Sequence, residues 1–303
     1  MNDLIIETNQ LCKSFKGKPA LRGLDLQVPA GSIFGFLGRN GAGKTTTIKT
    51  LMGLLHADSG SAQVFGSPVA DADRSVEIRR RIGFVTEDKE LYPYMTVEQI
   101  VRFTRPFFPT WRDDLAQRYL EIFELPLKRK IPDLSKGMRS KLMLLLAISH
   151  QAELLVLDEP TDGLDPAATE DVLRELVAIA AASGTTIFFS SHQLVEVERI
   201  ADHIGIIHRG KLVATGSLDD MKAQYQRLNV VLADSNSNTS SLTLPAHWVE
   251  GIESVRQEGR VVSILASHNV DAIVEQARAI PGATVERFPV TLTEIFLEHT
   301  RSN

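Results

Sequence analysis

The chain has 303 residues, one cysteine and a formal net charge of −5, with 23 % charged and 43 % apolar side chains. That is the balance of a globular protein, and at roughly 150 residues per domain it predicts about two domains. The longest apolar run, Leu142–Ile148, falls far short of the roughly 20 residues of a membrane-spanning helix, while 33 basic against 38 acidic residues argue against a dedicated nucleic-acid binder. The start, MNDLIIETNQ, lacks a secretory pattern, and the single Cys12 predicts a reduced, cytoplasmic compartment.

In chain order, Leu4–Thr8 and Leu24–Val28 predict a small antiparallel addition. Ser32–Leu37 (SIFGFL) predicts a buried strand, being short, apolar and bounded by turn residues. It runs into Gly38-Arg39-Asn40-Gly41-Ala42-Gly43-Lys44-Thr45, which fits the phosphate-loop pattern G-x-x-x-x-G-K-[ST], with Thr46 next and a helix predicted over Lys44–Leu54. The spacing has a physical basis. Glycines let backbone N–H groups converge on phosphate oxygens, and a helix N-terminus adds a favourable field for anions. Lys44 supplies a charge for the β- and γ-phosphates, and the Thr45 hydroxyl is a Mg²⁺ ligand.

Further helices are predicted over Thr96–Phe103, Ala116–Phe123 and Met138–Ser149, with Thr96 and Gln99 forming a capping box. Leu91–Trp111 is rich in aromatics. Phe103, Phe107, Phe108 and Trp111 either pack a local core or anchor a partner helix. Leu154–Glu159 (LLVLDE) is an apolar strand ending in two carboxylates: Asp158 is placed to hold Mg²⁺, and Glu159 to polarise an attacking water as general base. After a helix over Ala168–Ala182 and a strand over Thr186–Ser190 comes His192, at the strand end where ligand sites of α/β sheets gather. It is a candidate donor to a γ-phosphate. A helix over Gln193–Ala201 and a strand over His203–Ile207 complete the pattern of a mainly parallel sheet, and the run Lys211–Gly216 leads into the tail.

The tail differs. A short helix near Leu218–Gln224 precedes strands at Leu228–Leu232, Val261–Leu265 and Thr284–Phe288, helices at Val270–Ala279 and Leu292–Glu298, and a polar linker at Asp234–Ser241. This predicts a small α+β domain, 227–303, after a first domain of 1–226.

The ordered set GRNGAGKTT, LSKGM, LLVLDEPTDGLD and SSH resembles the ATP-binding cassette (ABC) ATPases, and most nearly those of bacterial ABC-2-type exporters. The similarity spans about Leu4 to Gly216. It implies an α/β P-loop fold with an antiparallel addition and a helical subdomain at about 88–150. It implies ATP and Mg²⁺ as cofactors, with catalysis by Glu159, His192 and Lys44. Phe15 would stack on adenine. Ser135 and Gly137 would contact the ATP of a second ATPase subunit in a head-to-tail dimer, and Asp165 would cross the same interface. The aromatic stretch would receive a separate transmembrane permease, at the cytoplasmic face of the plasma membrane. Two departures stand out. Lys136 and Met138 replace residues of the usual LSGGQ, and Glu87 occupies the place of the usual glutamine, as a metal ligand or as a plain loop acid. The alternatives to a transport ATPase are a non-transport ABC ATPase and a nucleotide-binding regulatory module.

Overall fold

Strands Ile33–Leu37 and Leu154–Asp158 are buried along their whole length, as expected of apolar runs without alternation that lie inside a parallel sheet covered on both faces. They belong to a six-stranded sheet in the order Lys211–Ser217, His203–His208, Ile33–Leu37, Thr186–Ser191, Leu154–Asp158, Ile82–Val85. Successive pairs from His203–His208 to Ile82–Val85 are parallel. Phe34, Phe36 and Phe188 fill the middle, with ring centroids 5.4–5.7 Å apart and almost no exposure. Parallel pairing puts the strand ends that lead into Gly38, Glu87, Glu159 and His192 on one edge of the sheet.

The computed structural model describes residues 3–88, 91–232 and 250–300. The chain divides into two compact units, Met1–Thr215 and Gly216–Asn303. The short helix Leu218–Gln224 therefore groups with the second unit, upstream of the boundary expected near Arg227.

In the first unit the antiparallel addition is larger than the sequence suggests. A long strand, Leu4–Phe15, pairs with Lys18–Leu24, Gln27–Pro29 and Ser59–Val64. The strand expected over Leu24–Val28 is broken at Asp25, whose carboxylate takes the Gln10 backbone N–H at 2.6 Å and so interrupts the ladder. The helix after the phosphate loop runs over Lys44–Leu51 and stops short of Leu54, because Gly53 turns left-handed at φ 65°. The helical segment contains Val97–Thr104, Asp113–Ile122 and Lys136–Ile148; Thr96 and Gln99 make the anticipated capping box. Helix Ala72–Arg80 was not anticipated, since its charged sequence has little apolar period to read.

The second unit is an antiparallel sheet, Ile252–Glu258, Val261–Ala266, Gln226–Val231, Thr284–Pro289. Helix Val270–Arg278 lays Ile273, Val274 and Ala277 against Leu228, Val230, Val262 and Ile264. Helix Leu292–His299 starts at a Thr291–Glu294 capping box. The expected linker Asp234–Ser241 lies outside the described residues.

Candidate functional site

The phosphate loop is the turn between strand Ile33–Leu37 and helix Lys44–Leu51. Two glycines are required by contact. A Cβ on Gly38 would lie 2.7 Å from Ile207 Cγ2 and 2.8 Å from its carbonyl oxygen. Gly43, at φ 119°, would meet the Ala20 carbonyl at 2.9 Å. The loop is pinned from outside, because Gly210 N–H donates to the Ala42 carbonyl at 2.9 Å. The Ala42 side chain is buried, so this residue contributes backbone to the site.

Lys44 is 6 % exposed, and its ammonium donates to the Gly38 carbonyl at 2.7 Å. It also lies 3.0 Å from Glu159 Oε1, a buried ion pair by distance that lacks hydrogen-bond geometry. A buried pair of this kind is poised for exchange: its desolvation cost is high, and an incoming anion with better geometry competes for the lysine. Glu159 Oε2 meets His192 Nδ1 at 2.9 Å. Glu159 takes the left-handed backbone conformation at φ 49°, which a non-glycine residue adopts only under constraint.

Asp158 precedes it at the strand end and is 2 % exposed. Burial pushes its carboxyl up from the ordinary value, against hydrogen bonds from Ser190 and Thr45 that pull it down. The Ser190 hydroxyl donates to Asp158 Oδ1 at 2.6 Å and accepts from the Glu159 N–H at 3.0 Å. One serine thus orients both acids. Sequence reasoning missed Ser190, since its role comes from register: it is the ladder partner of Asp158. It also missed Glu196, which is buried, pushed up by that burial, and accepts from Thr161 Oγ1 at 2.6 Å, holding the loop after Glu159.

Arg39, Asn40, Gly41, Gly43, Lys44, Thr45, Thr46, Glu87, Glu159, Asp162 and His192 line one open pocket of about 340 Å³. Glu87 stands exposed at its wall. Partial desolvation, then the nearby Asp158 and Glu159 and, further down, Asp88 and Asp162, push its carboxyl up. A larger cavity of about 650 Å³ lies at the opposite ends of strands Leu154–Asp158 and Thr186–Ser191, among Ile5, Arg112, Tyr119 and Ile179. Size alone does not mark the site: the larger cavity has neither the loop of converging amides nor the paired acids.

The remaining sequence candidates lie outside this pocket. Phe15 is 48 % exposed beside the hairpin turn, with the Lys13 ammonium 5.9 Å above its ring. Ser135 caps helix Lys136–Ile148, accepting from Met138 N–H at 3.1 Å. Gly137 faces Ala168, whose Cβ would be 3.3 Å from an added methyl. Asp165 caps helix Pro166–Ser183 through Ala168 N–H at 2.9 Å.

A chamber of backbone amides, one lysine and two differently placed carboxylates can bind a polyphosphate and activate a water beside it. Comparison with known proteins agrees. The family model described as ABC transporter matches residues 21–162. The bacitracin transport ATP-binding protein BcrA of Bacillus licheniformis is 37 % identical over 77 % of this chain and 76 % of its own length. The linearmycin resistance ATP-binding protein LnrL of Bacillus subtilis (strain 168) is 32 % identical over 95 % and 98 %. A solved ATP-binding subunit of an ABC transporter superposes with a TM-score of 0.65 at 30 % identity, over 73 % of this chain and 92 % of that one. The fold alone is shared with a dimeric bacterial ABC transporter cassette, at a TM-score of 0.64 and 23 % identity over 70 % of this chain and 98 % of that one. On these grounds the chain belongs to the ABC transporter family, as an ATP-binding ATPase subunit.

Proposed function

We propose that the chain hydrolyses ATP in two composite sites of a head-to-tail dimer and thereby drives a separate membrane permease in export. The observation that carries the chemistry is Glu159 Oε1, a buried carboxylate oxygen without a hydrogen-bond partner among the described residues, held beside Lys44 at the mouth of the phosphate loop. When the polyphosphate takes over Lys44, this oxygen is released to accept a proton from the attacking water. His192, on the other carboxylate oxygen, fixes the orientation of Glu159. The amides of residues 39–46 and the Lys44 ammonium stabilise charge on the transferred phosphoryl group.

Mg²⁺ fits the donor set. The Thr45 hydroxyl and the Asp158 carboxylate are hard oxygen ligands, and the hydroxyl helps to hold the Asp158 carboxyl down against the effect of burial. Among the described residues no group of three or more acidic, histidine or cysteine ligands is preassembled, which suits an ion held by one or two protein oxygens plus phosphates. When bound, the ion neutralises phosphate charge; Glu87 is a further oxygen within the same pocket. Phe15 is proposed to stack on adenine. Ser135, Gly137 and Asp165 are proposed to act on the ATP of the partner subunit, which accords with their position outside the pocket of their own chain and with the exposure of Ser135 and Asp165.

No helix among the described residues is long and apolar enough to cross a membrane, so the permease is a separate chain in this proposal. Its dock is the aromatic run Tyr92, Tyr94, Phe103 and Phe107, exposed by 39–67 % with successive rings 5.2–5.8 Å apart. In this proposal the chain works at the cytoplasmic face of the membrane. Export is favoured by the relatives named for bacitracin transport and linearmycin resistance.

The test is Glu159→Gln. It keeps nucleotide binding, loses turnover and accumulates an ATP-bound dimer in gel filtration. Unchanged hydrolysis in the variant removes Glu159 as the base. If the unmodified chain binds ATP without turning it over, the regulatory-module alternative replaces the transport reading.

A further inference from the structure

Thr161, two residues beyond Glu159, is buried, and its hydroxyl donates to Glu196 Oε2 at 2.6 Å. Glu196 is buried too, on helix Leu194–Ile200, which begins two residues after His192. The same carboxylate oxygen lies 3.5 Å from the Ser191 hydroxyl, which accepts from the Gln193 N–H at 2.9 Å. One buried carboxylate therefore touches both the segment after Glu159 and the segment around His192. The segment after Glu159 is otherwise shaped by its own turns. The Asp162 N–H donates to the Glu159 carbonyl and the Leu164 N–H to the Thr161 carbonyl, each at 3.1 Å. Such local bonds fix the form of a turn but not its place against the sheet. Glu159 itself holds a left-handed backbone at φ 49°, a conformation that persists only where the surroundings over-determine it.

We infer that Glu196 is a positioning residue for ATP hydrolysis: through Thr161 it holds the backbone that aims Glu159, and through Ser191 it keeps that aim in step with His192. The inference rests on the reading of Glu159 as the general base. Glu196 lies behind the pocket wall rather than on it, so it acts on the placement of the base and not on the grip on the phosphates.

The test is steady-state ATP hydrolysis and ADP affinity on the full chain, with thermal melting as the control for folding. Thr161→Val keeps the side-chain volume and removes the donor. It lowers kcat by roughly tenfold to a hundredfold, the loss expected when a catalytic group is displaced by about 1 Å. KM and ADP affinity stay within about twofold of wild type, because the phosphate contacts are untouched. Thr161→Ser, which keeps the hydroxyl, restores most of kcat. Combining Thr161→Val with Glu196→Leu separates placement from folding. With both partners apolar no polar group is stranded, so the melting temperature lost in Thr161→Val recovers in the double variant. Its kcat stays low, because the tie is still missing. Unchanged kcat in Thr161→Val, or a kcat that recovers together with the melting temperature in the double variant, overturns the inference. Turnover retained in Glu159→Gln would instead defeat the reading of Glu159 as the base, and the inference with it.

Discussion

The mouth of the phosphate loop and the start of helix Lys136–Ile148, the signature helix that begins within LSKGM, lie in one chain under opposite conditions. At the first, Lys44, Asp158 and Glu159 are each at most 6 % exposed; Lys44 pairs with Glu159, Ser190 joins Asp158 to the Glu159 backbone, and His192 holds the Glu159 carboxylate. At the second, Ser135 is exposed, and its hydroxyl caps its own helix. The first region gathers the phosphate loop, the lysine and the acid pair within one chain. The second presents a helix N-terminus with an exposed hydroxyl, a surface suited to an anion that another molecule brings. The difference is what a shared catalytic site predicts.

The largest test of this contrast is Lys44→Ala. It is expected to abolish turnover, by a thousandfold or more on the order of losses for a preorganised charge at a transferring phosphoryl group. It also leaves the buried Glu159 carboxylate without its cation, lowering unfolding free energy by about 3 kcal/mol in a denaturant titration. Gly137→Glu attacks the other region. Turnover is expected to fall by roughly a hundredfold, while ADP affinity measured on the single chain stays within about twofold of wild type. If ADP affinity falls in parallel, the signature belongs to the pocket of its own chain and the contrast fails.

The far end of the signature helix gives a pH test. His150 is 1 % exposed, stacked on Phe108 at 4.0 Å, with a buried Nδ1 that has no hydrogen-bond partner among the described residues. Burial lowers its pKa from 6.5 to about 4, so the folded protein holds it neutral. Above pH 6.5 its contribution to stability is fully present. As pH falls from 6.5 toward 4 the unfolded chain takes up the proton first, and stability declines by up to about 3 kcal/mol. Denaturation midpoints measured across this window should flatten in His150→Leu. The smallest effect is that of Asp165→Ala, which removes one helix cap and costs about 1 kcal/mol in thermal unfolding. If Asp165 also crosses the dimer interface, turnover falls further than this loss of stability explains.

The phosphate-loop strand and helix were legible because burial pattern, glycine spacing and flanking elements agree locally. The acid pair at Asp158–Glu159 was legible for the same reason. Ser190 was not: its hydroxyl orients both acids through a ladder register that only the folded sheet creates. The Thr161–Glu196 bond joins residues far apart in sequence, and each alone reads as an ordinary loop or helix residue. Strand Ser59–Val64 and helix Ala72–Arg80 were hidden by polar composition, since tertiary pairing rather than an apolar period holds them. Around Asp25 a side chain took a backbone N–H and broke a strand that its propensity alone would have continued.

The most direct test of the shared site mixes two inactive proteins. Lys44→Ala carries an intact signature, and Gly137→Glu carries an intact phosphate loop. In an equimolar mixture about half of the dimers combine them, and each such dimer rebuilds one of its two composite sites, giving roughly a quarter of wild-type hydrolysis if sites act independently. Recovery of ATP hydrolysis on mixing, from two proteins that are inactive alone, is the result predicted here. A mixture as inactive as its components would contradict the claim that each site is assembled from two chains.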